Sequence, residues 1–293
     1  MAPSGRSAGR SACVSVGLRG HPATGGTAML TAEAIWSDVD AVRTHVPLVH
    51  NITNYVVMNT TANALLALGA SPVMAHADDE VADMVDIAAA LVVNIGTLSP
   101  QWVGAMHLAM RRARDTGVPV VFDPVGVGAT RYRTRTAQSL IGEVAPTIIR
   151  GNASEIKALV AAGATTMGVD SSDASASAID AARALHEGCG AVIAITGATD
   201  YIVGGDTPIE LSNGDPLMAR VTGLGCTASA LCGAMVAVSD SPSRAAAHAL
   251  AVLGIAGEVA AEQAAGPGSL QMHLLDALHG LTSEQISRRL RVA

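Results

Sequence analysis

The sequence predicts an α/β protein: one three-layer αβα domain in which helices cover both faces of a mostly parallel central sheet. Three observations carry this. Strand-like and helical segments alternate from about residue 31 to residue 211, the pattern of strand–helix–strand units with parallel strands. Hydrophobic residues make up 49% of the 293 residues and charged residues 15%, ample material for a core. The residues with chemical potential fall at the ends of predicted strands, where open parallel sheets bind ligands.

Residues 1–28 are rich in Ser, Gly, Ala and Arg and contain no acid. They read as a disordered extension, with Met29 as an alternative start. Their composition superficially resembles a transit peptide, but a disordered extension is the simpler reading. The remaining 29–293 read as the domain. A helix over 31–44 opens with Thr31-Ala-Glu-Ala, a helix-start signal, and a short strand follows at 47–50. Residues 55–68, YVVMNTTANALLAL, carry apolar residues at helical spacing and stop at Gly69. Strands are expected at 71–74, 91–94 and 118–122, with helices at 79–87 and 100–115 between and beyond them, and Asp123 ends the third of these strands. Next come a helix over 134–144, a strand at 147–149, and a helix over 153–162 capped by Asn152. A helix over 171–187 starts with Ser-Ser-Asp, a strand at 191–195 runs into Thr196-Gly197, and 201–203 and 208–211 read as a hairpin. The stretch 221–230, VTGLGCTASA, reads as a tight loop feeding a buried helix of small apolar residues. The rest is helical: 242–265, a break at Gly266-Pro-Gly, then 269–279 and 283–292.

Several function classes are excluded or disfavoured. A net charge of −7 argues against a nucleic-acid surface and offers no basic patch for a membrane. The longest apolar runs are interrupted before 18 residues, so no segment stands out as membrane-spanning. Cys13, Cys189, Cys226 and Cys232 show no C-x-x-C spacing, which fits neither a disulfide framework nor a zinc site and points to a reducing cytoplasm. The nine histidines form no metal-ligand pattern. The single lysine, Lys157, lies on a polar helix face, and no G-x-x-x-x-G-K-[ST] motif exists. Any phosphate must therefore be bound without a P-loop lysine.

Gly223 and Gly225 let the backbone approach a ligand, and the first amides of the following helix make an anion site together with the helix dipole. Asp123-Pro-Val-Gly-Val-Gly128 suits a metal-bound phosphate or is simply a turn. Arg150-Gly-Asn152-Ala-Ser-Glu155 has capping-box spacing, offers a guanidinium to phosphate and a carboxylate to hydrated Mg²⁺. Thr196-Gly197 puts a hydroxyl and bare backbone at a strand end. Asn54 reads as an N-cap, Met74 as core. Cys226, at a helix N-terminus, is either a thiol of lowered pKa or a small residue that fits a tight site.

In this order the stretches HNITNYVVMNTTANALLALGASPVMAHA (50–77), DPVGVGAT (123–130), RGNASEI (150–156), ITG (195–197), TGLGCTASA (222–230) and GPGSLQMHLLDALHGL (266–281) resemble the hydroxyethylthiazole kinases of the ribokinase-like superfamily. The resemblance runs from about residue 47 to 279. It implies ATP- and Mg²⁺-dependent phosphorylation of the primary alcohol of 4-methyl-5-(2-hydroxyethyl)thiazole in thiamine biosynthesis or salvage, by a homotrimer with sites at subunit interfaces. It places Arg150 and Thr196, with Asn152 and Gly197 beside them, on ATP, and Met74 and Gly223 on the thiazole. Asn51 falls near the substrate, from the same or a neighbouring subunit. Asp123 and Glu155 serve the metal and phosphates. Cys226 takes the position where many ribokinase-like sugar kinases carry a catalytic aspartate. Leu224 departs from the small or polar residue expected between the two glycines. A kinase for hydroxymethylpyrimidine, a nucleotide-dependent dehydratase of hydrated nicotinamide cofactors, and a non-catalytic ligand sensor are the alternatives.

Overall fold

A computed structural model describes residues 30–163 and 174–292. The expected disordered extension, the alternative start at Met29 and the Ser-Ser-Asp helix start lie outside them. The order is α1 (Ala32–His45), β1 (Leu48–Ile52), α2 (Met58–Leu68), β2 (Ser71–Val73), α3 (Val81–Ile87), β3 (Ala90–Asn94), α4 (Pro100–Thr116), β4 (Val120–Asp123), α5 (Arg131–Glu143), β5 (Ile148–Asn152) and α6 (Ala153–Gly163). There follow α7 (Ala174–Cys189), β6 (Val192–Thr196), β7 (Asp200–Val203), β8 (Ile209–Leu211), a 3₁₀ turn (Pro216–Arg220), α8 (Leu224–Val236), α9 (Pro242–Ala261), α10 (Pro267–His279) and α11 (Ser283–Arg289).

The eight strands form one sheet in the order β2-β1-β3-β4-β5-β6-β7-β8. β1 to β6 pair in parallel, and β7 and β8 add an antiparallel end. One core, with side chains from α1, α2 and α8 to α11, covers one face; a second, from α3 to α7, covers the other. This is the expected three-layer arrangement.

Three boundaries differ from expectation for identifiable reasons. α2 starts at Met58, not at residue 55, because 54–57 form a turn whose Asn54 side chain points away from the helix. α5 starts earlier, at Arg131, because the Thr130 side chain accepts from the Arg133 amide at 3.2 Å and caps it. α11 stops at Arg289, not at 292, because Val292 turns back to bridge Leu211 on the edge strand β8. α9 is long and apolar enough to cross a membrane by length and composition, but 89% of its apolar window is buried inside the protein.

α8 is buried on all sides from Thr227 to Val236, which suits its run of small residues. It lies so close to the sheet that a Cβ at Gly233 would stand 2.7 Å from Val92 Cγ2 and 3.0 Å from Val49 Cγ1. Its N-terminus is therefore pinned over the carboxyl ends of the strands. Side chains alternate across a sheet, and Val49, Val92, Val121, Ile148 and Ala194 all belong to the core beneath α8. Two residues further along each strand stand Asn51, Asn94, Asp123, Arg150 and Thr196, which the pleat turns to the same face. Gly233→Val should lower the unfolding free energy by about 2–3 kcal/mol through overpacking, read from urea unfolding curves.

Candidate active site

Asp123 ends β4 and is wholly buried. Its Oδ2 accepts from Asn94 Nδ2 at 2.8 Å, across the β3–β4 pairing, and from Ser229 Oγ of α8 at 2.7 Å. Its Oδ1 has no hydrogen-bond partner and faces Arg150 Nη1 at 3.8 Å. Burial pushes the carboxyl pKa up, against the pull of Arg150 and the Ser229 and Asn94 hydrogen bonds. Arg150, on β5, donates to the Thr196 hydroxyl of β6, and its Nε is buried without a partner. Each of these two facing residues thus keeps one unfilled polar position.

Asn152 and Glu155 form the expected reciprocal cap. Glu155 N–H donates to Asn152 Oδ1 at 3.0 Å, and Glu155 Oε2 accepts from Asn152 N–H at 2.9 Å. Glu155 Oε1 also accepts from Gly126 N–H at 2.9 Å, tying the glycine loop after Asp123 to the start of α6. Gly197 N–H donates to Asp200 Oδ1 at 2.9 Å. Lys157 is half-buried and donates to Ser177 Oγ at 3.1 Å, so it links α6 to α7 where a solvated lysine is expected.

Gly223 caps α8 with a left-handed φ of 84°, a conformation that costs glycine nothing. A Cβ at Gly225 would lie 2.6 Å from Arg150 Nη1, so the bare backbone lets the guanidinium reach the helix start. Leu224 is buried and packs into the core of the α8 face. These elements open onto a cleft of about 840 Å³ lined at one end by Arg150, Asn152, Thr196, Gly197, Gly223 and Gly225. Its far side is built from residues 213–216, Met218, Ala219, Leu250, Leu253 and Gly254. Among the lining residues Arg150 is the one cationic side chain.

Cys226, in the first turn of α8, is not an activated thiol. Burial, followed by the neighbouring Asp123 charge, pushes its pKa up to about 11. The sequence alternative of a lowered pKa is thereby corrected: the helix start lies in a dry pocket beside an acid. Asn54 is likewise not an N-cap, since Val57 takes that place without a side-chain bond. Asn54 Nδ2 donates to Asn94 Oδ1 at 2.9 Å and to Cys226 Sγ at 3.5 Å. Sequence reasoning missed Asn94 and Ser229 altogether, although each lies two residues along a strand, or one turn along a helix, from a core residue.

Met74 and Asn51 do not line the cleft. Met74 follows the edge strand β2 and is half-buried. Asn51 donates back to Val49 O at 2.9 Å, and its Oδ1 is buried without a partner. Among the described residues no group of three or more His, Cys, Asp and Glu side chains could hold a metal.

Comparison with known proteins places this geometry. The model of the hydroxyethylthiazole kinase family matches residues 39–284. A hydroxyethylthiazole kinase of Syntrophus aciditrophicus is 61% identical over 264 residues, covering 90% of this chain and 98% of that protein. One from Leptospira biflexa is 52% identical, covering 86% and 95%. The structure of the hydroxyethylthiazole kinase protein from Pyrococcus horikoshii OT3 superposes with a TM-score of 0.82 at 42% identity, over 89% of this chain and 98% of that one. The ADP complex of Bacillus subtilis pyridoxal kinase, at 18% identity, has a TM-score of 0.55 and shares the fold. So does a ribokinase-like superfamily protein of Enterococcus faecalis, at 14% identity with a TM-score of 0.58.

Asp200 is a further acid that sequence reasoning passed over. Burial raises its pKa to about 6, against the Gly197 amide and the Arg150 charge. A folded pKa above the unfolded value means that its contribution to stability is fully present below about pH 4 and is lost as pH rises through about 6. Asp200→Asn keeps an acceptor for Gly197 and removes the charge. The variant should therefore be more stable than the wild type at pH 7.5, with the difference vanishing near pH 4. Denaturant unfolding at both pH values checks this.

Proposed function

Because the chain belongs to the hydroxyethylthiazole kinase family, we propose that its cleft binds ATP and Mg²⁺ and phosphorylates the primary alcohol of 4-methyl-5-(2-hydroxyethyl)thiazole in thiamine biosynthesis or salvage. The kinase assignment follows from family membership. The observation that carries the site is that Arg150 and the start of α8 line one end of the cleft, with Asp123 buried directly behind Arg150.

The partnerless Oδ1 of Asp123 and Nε of Arg150 fit a metal–phosphate group, which supplies an oxygen-ligated cation to one and an oxyanion to the other. Asp123 would hold the magnesium directly and Glu155 through its water, since this ion binds through one or two carboxylates and keeps several waters. Magnesium supplies neutralisation and alignment of the phosphates. Arg150, steadied by Thr196, gives a guanidinium to a phosphate oxygen. The amides at the start of α8 lack intrahelical partners and stabilise charge on the transferring group without any lysine. Asn152 and Gly197 hold the neighbouring nucleotide phosphates, and Gly223 borders the alcohol.

The alcohol oxygen bonds to the γ-phosphorus, the bond to the β-phosphate oxygen breaks, ADP leaves, and the alcohol proton passes to a phosphate oxygen or water. With a pKa near 11, Cys226 presents only about one thiolate in ten thousand at pH 7. It is thus a minor proton acceptor, and a loose transition state demands little of it. Asn54 holds the thiol, and Asn94 joins it to Asp123.

The loop after β1 supports the assembly part of the reading. Tyr55 and Val56 are 65% and 68% exposed. Tyr55 leans on Trp102 at 4.9 Å between ring centroids, and Trp102 contacts His76 at 4.4 Å, so this apolar tip lies beside the Met74 segment. A homotrimer in which neighbouring copies cover this face and reach Met74 is what it supports, whereas Asn51 is buried within its own chain. The cytoplasm is the compartment that ATP and the three free cysteines among the described residues suit.

ADP release measured with the thiazole alcohol, with hydroxymethylpyrimidine and with no acceptor tests the reaction. Turnover with the thiazole alcohol alone is expected. A preference for the pyrimidine, or ATP consumption linked to hydrated nicotinamide cofactor, would overturn it. In the same assay Cys226→Ala should keep a tenth or more of wild-type kcat, on the order of general-base losses or less, whereas Gly225→Val should fall below about 1% as Arg150 is displaced. Sedimentation analysis should give a trimer that Val56→Glu weakens; a monomeric wild type would sink the assembly reading.

A further inference from the structure

The far wall of the cleft is drawn from the connection 212–223, which joins β8 to α8. Apart from the 3₁₀ turn this segment has no regular structure, yet it supplies Asn213, Gly214, Asp215, Pro216 and Met218 to the lining. Something outside the segment must set its position. Two neighbours do so.

The first is α9, which carries Glu258. The Glu258 side chain is only 10% exposed, and its Oε1 accepts from Gly214 N–H at 2.8 Å, Asn213 Nδ2 at 2.9 Å and Arg291 Nη2 at 2.7 Å. A turn before it, α9 is bare: a Cβ at Gly254 would lie 2.8 Å from the Asn213 carbonyl oxygen, so the loop backbone rests directly on the helix. The second neighbour is the segment after α11. Ser212 N–H donates to Arg291 O at 3.0 Å, and the Arg291 guanidinium donates twice to Ser212 O, at 3.0 and 2.8 Å. Arg291 N–H donates to Asn213 Oδ1 at 2.9 Å, and Asn213 Nδ2 donates to Arg289 O at 2.7 Å. The bridge from Val292 to Leu211 completes the clasp.

We propose that residues 289–292 are a strap, anchored on Glu258, and that Arg291 and Glu258 are positioning residues for the nucleoside end of the bound nucleotide. The proposal rests on the reading of the cleft as an ATP site. Phosphate belongs at the Arg150 end, because that is where the cation and free amides are. The opposite end, with Leu250, Leu253, Pro216 and Met218 and without a cation, suits a base and sugar. Arg291 touches none of the phosphate-end groups, and its charge-assisted bonds to Glu258 and Ser212 are the strongest class the clasp contains. Without them the wall samples positions that do not fit the nucleoside, and apparent affinity falls by the fraction of time it is out of place.

The test uses the full chain with Arg291→Ala and Arg291→Lys, measuring ATP binding by calorimetry alongside steady-state kinetics. Arg291→Ala should raise both Kd and KM for ATP about tenfold. The KM for the thiazole alcohol and kcat at saturating ATP should stay within about twofold. Arg291→Lys keeps the charge on Glu258 but loses the fork on Ser212 O, and should fall between. An unchanged ATP Kd in Arg291→Ala, or a lowered melting temperature with no change in ATP affinity, overturns the strap. Equal losses in kcat and in both KM values overturn it as well. If Arg291→Ala fails to fold, the Arg291→Lys measurement decides by the same criteria. A wild type that binds no ATP overturns the cleft reading and the strap with it, whereas a wild type that binds and variants that bind equally overturn the strap alone.

Discussion

A carboxylate with no access to water has to be satisfied by whatever surrounds it, and Asp123 is such a carboxylate. Asn94 from the adjacent strand, Ser229 from α8 and Arg150 from β5 converge on it. Each of these is held in turn: Asn94 by Asn54, Ser229 by the tight seating of α8, and Arg150 by Thr196 and the room that Gly225 leaves. Removing any one of them would leave a buried charge or dipole uncompensated, at a cost that rises steeply in a dry site. The site is organised around an acid that the fold cannot fully satisfy by itself: Oδ1 is left without a hydrogen bond, which is where a cation would complete it.

The same arrangement explains how a chain with one lysine, placed elsewhere, can handle phosphate. Positive potential comes from the start of α8 and from Arg150, and glycine is what allows the two to meet. A side chain at 225 would separate them, and a side chain at 223 would meet Val57 Cγ1 at 2.7 Å as well as strain the left-handed cap. Cys226 draws attention as a nucleophile or base at a helix N-terminus, but burial and the Asp123 charge raise its pKa against the Asn94 and Asn54 hydrogen bonds and the Arg150 charge. On the proposed reaction, preorganised donors, more than proton transfer, then carry the chemistry.

The cleft has two differently built ends. The end proposed for phosphate is made of strand termini and a helix start, elements that the sheet fixes rigidly. The opposite wall is a connection with little structure of its own, steadied by Glu258 and by the segment after α11. Rigid geometry where bonds are made, with a separately tethered wall where the bulk of a nucleotide would rest, lets the two ends be altered independently by substitution.

Much of this was legible in the sequence. Alternating periodicities, Gly and Pro punctuation and caps such as Thr31 and Asn152 are local signals, so the sheet, its helices and the glycine loop could be read directly, and the long block at 50–77 pointed to the family. Asp123, Arg150 and Thr196 were legible because each lies at or near the carboxyl end of a strand. What the tertiary structure decided is everything that depends on contacts distant along the chain. Asn54 looks like a cap and instead bridges to Asn94 and Cys226, 40 and 172 residues away. Residues 291–292 look like the end of a helix and instead strap β8 and the cleft wall. The Cys226 thiol is raised in pKa because α8 buries it beside Asp123. Periodicity and caps report on neighbours within a turn or two, whereas burial, charge and long-range hydrogen bonds exist only once the sheet has brought the strand ends together.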